Sequence, residues 1–193
     1  MTIEFYQANA EAFFNDTVGV DMHSLYQPFV AALPAKACIL DAGCGSGRDS
    51  KAFLDMGFNV EAFDASSEMV QRASAHTGLS VSLCSFTDFD KPTHFDAIWA
   101  CASLLHVDEN ELPAAISALI NSLKYGGLFY MSFKYGNSQR VKDGRTFTDM
   151  NEDRFSSLIS QFPELTIHQL WLTEDKRPNR NERWLNIIVM KNH

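Results

Sequence analysis

The chain has 193 residues, 46% hydrophobic and 21% charged, an ordinary globular balance with enough length for one domain and a sizeable core. Its net charge of −8 argues against a protein that grips nucleic acid through phosphates, and no apolar run approaches the ~18 residues a membrane span needs. Cys38, Cys44, Cys84 and Cys101 show neither C-x-x-C nor zinc spacing, so reduced thiols and no metal site are expected.

Two amphipathic stretches open the chain, roughly residues 3–15 and 21–32, with Phe5, Ala8 and Ala12 and then Leu25, Phe29 and Ala32 at helical spacing. They part at Thr17-Val18-Gly19, end at Pro34, and are expected to lie as helices over a later sheet. With Glu4 and no basic segment at the start, no signal peptide is expected, and the protein is placed in the cytoplasm.

The run Ile39-Leu40-Asp41-Ala42 reads as a buried strand, followed by Gly43, Gly45 and Gly47 and a helix from about Ser46 to Met56 that stops at Gly57. Alternate glycines let the backbone pass close to a ligand and take φ > 0, while the helix behind them offers unpaired N–H groups. A tight turn without a ligand needs the same glycines, but the pattern suits a nucleoside cofactor. A dinucleotide fingerprint requires G-x-G-x-x-G, and Arg48 stands where its third glycine belongs, which counts against NAD. A second strand over residues 58–63 ends at Asp64. A carboxylate there either accepts from vicinal ribose hydroxyls or is simply solvated.

Ser66 or Ser67 is placed to cap the next helix, with Glu68 in its first turn and Gly78 at its end. Strands follow over 80–84 and 95–100, then a helix over 109–123 with Leu112, Ala115, Ile116, Leu119, Ile120 and Leu123 in one stripe. Gly126-Gly127 is expected to stop that helix before a strand over 128–133. This alternation implies an α/β fold with a parallel sheet and helices on both faces. Residues 134–150, with Gly136-Asn137 and Asp143-Gly144, read as a loop or flap. A helix over about 151–162 ends at Pro163, and two β-rich segments, 165–172 and 184–190, flank a polar stretch over 173–183.

Charge is uneven along the chain. Residues 1–133 hold 6 Lys/Arg against 16 Asp/Glu, and residues 134–193 hold 10 against 8. The late basic group comprises Arg140, Lys142, Arg145, Lys176, Arg177, Arg180 and Arg183, and the guanidinium forks of its arginines suit carboxylates or other oxyanions. An ordinary solvated face has the same composition.

Taken in order, ILDAGCGSGRD, VEAFDAS with Ser67-Glu68-Met69, FDAIWACASLLHV and LKYGGLFYMSFKYG make the chain resemble a class I S-adenosylmethionine-dependent methyltransferase over essentially its whole length. It is similar in particular to small bacterial enzymes of the tellurite-resistance type. The resemblance implies a Rossmann-like, doubly wound, mostly parallel seven-stranded sheet with the last strand antiparallel. It also implies one domain over 1–193, made of a helical cover (1–34), a cofactor-binding core (35–133) and a substrate side (134–193).

The cofactor implied is S-adenosylmethionine. Asp41 and the backbone of Ala42, Gly43 and Gly45 would hold its methionine part, Arg48 its carboxylate and Asp64 its ribose. Ala65, Ser66 and Met69 would border the adenine, with Ser85 and Phe86 on its other side. Ser85 replaces an acid common in similar enzymes, which moves that contact to backbone or Thr87. Ala100, Cys101 and Ser103 would line the methyl-transfer site, with His106 as base or turn cap. Tyr6 and Thr17 belong to a segment that folds over the cofactor in similar enzymes; Tyr6 lies over the sulfonium or packs within its helix. Arg180 and Arg183 are the best matches to basic residues associated with the active site, and Trp171 and Trp184 flank the same loop. The function implied is methyl transfer to a small polar or anionic molecule, with neither nucleic acid nor membrane as partner and no oligomeric state specified. A cofactor-binding module without turnover and an NAD-dependent oxidoreductase are the rival readings.

Overall fold

The apolar runs between the amphipathic segments assemble into one twisted sheet. In the computed structural model, which describes residues 2–177 and 180–192, the chain enters through helices α1 (Thr2–Ala8), α2 (Ala10–Thr17) and α3 (His23–Val30). Then come β1 (Cys38–Ala42), α4 (Arg48–Asp55), β2 (Asn59–Asp64), α5 (Ser67–Thr77), β3 (Ser82–Leu83) and β4 (Phe95–Ala100). A 3₁₀ turn (Leu104–His106), α6 (Leu112–Ser122) and β5 (Leu123–Lys134) follow, then β6 (Gln139–Lys142), β7 (Arg145–Thr148), α7 (Glu152–Ile159), β8 (Leu165–Glu174) and β9 (Arg183–Lys191). Pro178 and Asn179, in the expected polar stretch, lie outside the described residues.

The seven strands run in the order β3-β2-β1-β4-β5-β9-β8. β1 to β5 pair in parallel, and β9, last in sequence, is inserted antiparallel between β5 and β8. The direction of winding reverses between β1 and β4, and at such a switch point the carboxyl ends of the strands open a crevice for ligands.

Burial of both faces explains why these strands read as nearly unbroken hydrophobic runs. In β4, Ile98 faces a core shared with Leu112, Ile116 and Leu119 of α6 and Phe155 of α7. Its neighbour Trp99 faces the other core with Tyr26 and Phe29 of α3 and Phe53 of α4. There the Trp99 and Tyr130 rings stack at 3.7 Å and 12°. No helix among the described residues is long and apolar enough to cross a membrane.

Four local expectations need correcting. The first amphipathic stretch is two helices, because Asn9 sits at φ −117°, ψ 19° and its side-chain amide donates to the Phe5 carbonyl at 2.9 Å. The expected loop over 134–150 contains a hairpin, β6 paired with β7 from Gln139↔Thr148 to Lys142↔Arg145. Its turn residues Asp143 and Gly144 take φ of 51° and 74°, the left-handed pair a two-residue hairpin favours. α6 ends at Ser122, so Gly126-Gly127 lies inside β5, beside a register irregularity opposite Phe95 and Ala97. The third strand shrinks to two residues at the sheet edge.

Candidate functional site

A cavity of about 500 Å³ opens at the carboxyl ends of β1, β2 and β4 and extends to β8 and β9, under α1, α2 and the β6–β7 hairpin. Of the residues singled out in the sequence, Tyr6, Thr17, Asp41, Gly43, Gly45, Arg48, Asp64, Ala65, Ser66, Met69, Ser85, Phe86, Cys101, His106 and Arg180 line it. Three do not. Ala42 and Ala100 are fully buried at the last position of their strands, one residue short of the lining Gly43 and Cys101. Arg183 turns away, its guanidinium 4.8 Å from the Tyr135 ring centre.

The glycine turn brings main chain to the cavity wall. Gly43 has φ 74°, and a Cβ built there would stand 2.7 Å from Ser103 Cβ and 3.1 Å from the Phe86 ring, so only glycine keeps this space. The amides of Gly43 and Cys44 both donate to the Phe63 carbonyl at 3.0 Å, binding the turn to the end of β2. Asp64 closes β2 and accepts from Gly45 N through Oδ2 and from Ser66 N through Oδ1, each at 2.9 Å. Burial raises its pKa despite these bonds. Each carboxylate oxygen keeps a second lone pair for a ligand hydroxyl.

Behind the turn, two buried carboxyl groups compete for one cation. Arg48 binds Asp49 side-on, Nε to Oδ1 at 2.6 Å and Nη2 to Oδ2 at 3.0 Å. Tyr26 and Trp99 donate to the same carboxylate at 2.6 and 2.8 Å. Asp41 is left with the Ser50 hydroxyl at 2.6 Å; burial, then the Asp49 charge, push its pKa up. A cationic ligand group beside Asp41 would relieve that penalty. Burial also lifts the Cys101 thiol to about 12, so it lines the cavity as a neutral group.

The other half of the cavity is built by α1, the hairpin and the last two strands. His106 Nδ1 lies 2.8 Å from the Thr146 carbonyl, which only accepts; that nitrogen therefore carries the proton. Nε2 is then an acceptor, and the Tyr6 hydroxyl donates to it at 2.8 Å. Burial lowers the His106 pKa to about 4, so the ring is neutral at pH 7. Phe147, Lys134, Ser132, Asp175, Trp184 and Asn186 complete this wall.

Of the late basic group, Lys142, Arg145, Lys176, Arg177 and Arg180 line the cavity. Arg140 is instead clasped by Asp149 at 2.7 and 3.1 Å. Sequence reasoning passed over Phe13, Lys134, Phe147 and Asp175. Lys134 and Phe147 carried no spacing signal, whereas Asp175 stands two positions from Arg177, the one hint available. At the opposite, amino end of the sheet, ligand atoms of Cys38, Glu61 and His94 come within 4.8 Å of one another, but Lys91 already pairs with Glu61.

Residues 39–127 match the family model described as a methyltransferase domain. The ubiquinone biosynthesis O-methyltransferase of Xylella fastidiosa (strain 9a5c) is 36% identical over 104 residues, 50% of this chain and 41% of that protein. The chain spans about half the length of the curated relatives it matches. Among solved structures, the Burkholderia thailandensis 1,6-didemethyltoxoflavin-N1-methyltransferase, with S-adenosylhomocysteine bound, superposes at TM-score 0.77 and 20% identity, covering 99% of this chain and 85% of that one. The cyclase SpnF does so at TM-score 0.76 and 16% identity, covering 98% and 94%. The likeness to tellurite-resistance-type enzymes rests on the sequence motifs alone. Residues 39–127 thus match the methyltransferase-domain model, and the chain shares the fold of these solved structures.

Proposed function

We propose that the protein binds S-adenosylmethionine and transfers its methyl group to a small polar or anionic molecule. The observation that carries this reading is one cavity with two halves, a glycine turn with Asp64 and Asp41 on one side and a cation-rich aromatic wall on the other. The residues present fit the cofactor. The space at Gly43 admits no side chain, Asp64 has lone pairs free for ribose hydroxyls, and Asp41 is a desolvated carboxyl with no cation of its own.

When bound, the cofactor supplies a methyl group already activated on a sulfonium. What remains for the chain is placement and exclusion of water. In this reading Asp64 holds the ribose, Asp41 and the turn hold the methionine end, and Ala65, Ser66, Met69, Ser85 and Phe86 enclose the adenine. Tyr6 and Thr17 cover the cofactor from the helical segment over 1–34, and residues 134–193 form the acceptor side with Arg180 at its rim. Arg48 is spoken for by Asp49, so its role is to hold the turn rather than to reach for a carboxylate. Cytoplasmic action belongs to the same reading, supported by four free cysteines, and the net charge of −8 supports a small-molecule acceptor over nucleic acid.

Calorimetry with S-adenosylmethionine, S-adenosylhomocysteine and NAD(H) tests this. Binding of NAD alone would overturn it. Because the same fold hosts a protein named as a cyclase, turnover needs its own check. Release of S-adenosylhomocysteine in a screen of small acids, oxyanions, thiols and amines separates an enzyme from a module that only binds the cofactor.

A further inference from the structure

One cation in the acceptor half has unfinished bonding. Among the described residues, two buried side-chain polar atoms lack a hydrogen-bond partner, Arg72 Nε and Arg145 Nε, and of these residues Arg145 lines the cavity. The acid nearest its guanidinium, Asp143, is 3.7 Å from Nη2 and 63% exposed, a loose pair. The Tyr6 hydroxyl also meets the Arg145 guanidinium, while Arg177 is held by Asp175 at 3.0 and 2.6 Å and Lys134 by Glu182. The Arg145 guanidinium lies 4.1 Å from the Phe5 ring centre and 5.2 Å from that of Phe147, which restricts its plane. A buried donor without an acceptor is costly; Nε itself is closed off, so a carboxylate entering the cavity meets the guanidinium through the 22% of the side chain that stays exposed.

Among the described residues, the buried groups around Arg145 include no free base. His106 has both ring nitrogens engaged, by Thr146 and Tyr6, and burial holds its pKa near 4. Asp175 is occupied by Arg177 and Trp184, Glu182 by Lys134, and the Cys101 thiol stays protonated. An acceptor that had to lose a proton would be poorly served here.

From the part-exposed guanidinium of Arg145, the aromatic wall and the lack of a free base, we propose that the methyl acceptor is an organic carboxylate with a flat apolar body. Arg145 takes the carboxylate, and Phe147 and Trp184 take the body. The proposal rests on the methyl-transfer reading above. The acceptor's carboxylate oxygen forms a bond to the methyl carbon with its own lone pair as the carbon–sulfur bond breaks, the electron pair of that bond staying on sulfur. An anion and a cation become a neutral ester and a neutral thioether, and no proton has to move. Cancelling charge in this way is favoured in a water-poor cavity. The ester is a weaker partner for Arg145 than the acid, which favours its release.

The test is calorimetry on the full chain saturated with S-adenosylhomocysteine, titrated with benzoate and with its neutral isostere benzamide. Benzoate is expected to bind at least about tenfold tighter, as for a hydrogen bond to a charged group. Arg145→Ala should bring the two ligands to within about twofold, and Arg145→Lys, which keeps the charge without the fork, should fall between. Thermal unfolding and S-adenosylhomocysteine affinity identify a variant that has merely misfolded, in which case the wild-type ratio and the lysine variant decide. Methyl label transferred to a carboxylic acid should be lost on mild alkaline hydrolysis, as an ester requires. If S-adenosylhomocysteine binds and benzoate is no tighter than benzamide, the carboxylate assignment fails and the methyltransferase reading stands. If S-adenosylhomocysteine itself does not bind, both fall.

Discussion

Asp64→Ala separates the two tasks assigned to the carboxylate at the end of β2. In the free protein Asp64 accepts from Gly45 N and Ser66 N at 2.9 Å each. Its loss leaves two part-buried donors open, which costs up to about 1–3 kcal/mol apiece and is partly offset because the carboxylate charge is gone as well. Two ribose hydroxyls bonded to an ionised group contribute about 1.5–3 kcal/mol each. Cofactor affinity should therefore fall by about 3–6 kcal/mol, roughly a hundredfold to ten-thousandfold in Kd. Asp64→Asn keeps one acceptor but turns an amide NH₂ toward one of the two backbone donors, so it should lose about ten- to a hundredfold. Calorimetry with S-adenosylhomocysteine, beside thermal melts of each variant, reads both effects. Affinity within about threefold of wild type in a folded Asp64→Ala protein would refute the ribose role.

Gly43→Ala places a Cβ 2.7 Å from Ser103 Cβ at φ 74°; it should destabilise the fold by about 2–4 kcal/mol in denaturant titrations and weaken cofactor binding. Asp49→Ala leaves the Arg48 guanidinium buried without its partner and removes the acceptor for Tyr26 and Trp99; a loss of about 3–5 kcal/mol is expected, and a change below about 1 kcal/mol would show the network to be dispensable. His106 has a pKa of about 4 in the folded protein against an ordinary 6.5. Above pH 6.5 it is neutral in both folded and unfolded chains and contributes no slope; between 6.5 and 4 the unfolded chain binds the proton first, so stability falls with pH, by about 3 kcal/mol in all. His106→Gln should flatten that part of the stability–pH curve.

Where sequence reasoning succeeded, the information was local. β1, the glycine turn and Asp64 are read from a buried run, residues that tolerate positive φ and a strand-end acid, and all three meet in the cavity. The hairpin escaped because β6 and β7, QRVK and RTFT, are mostly polar; the Asp143-Gly144 turn was visible, but the flanking strands lacked the apolar alternation that marks a half-buried pair. The break at Asn9 escaped because the helical period continues across it while the side chain takes a backbone carbonyl. Tyr6 and His106 were both singled out, yet their bond spans 100 positions, and no spacing rule pairs them.

The cations show most clearly what the fold alone decides. Arg140 and Arg145 are equivalent in composition and sit on paired strands of one hairpin. The tertiary structure brings Asp149 against Arg140, and leaves Arg145 stacked on Phe5 and Phe147 at the cavity wall with its Nε unmatched. By itself the sequence determined the α/β fold class, the glycine turn and its strand-end acid, because burial period and backbone conformational preference act residue by residue. Which arginine faces the acceptor, and that His106 stands neutral with both nitrogens engaged, depended on carboxylates, carbonyls and rings that only folding brings within bonding distance.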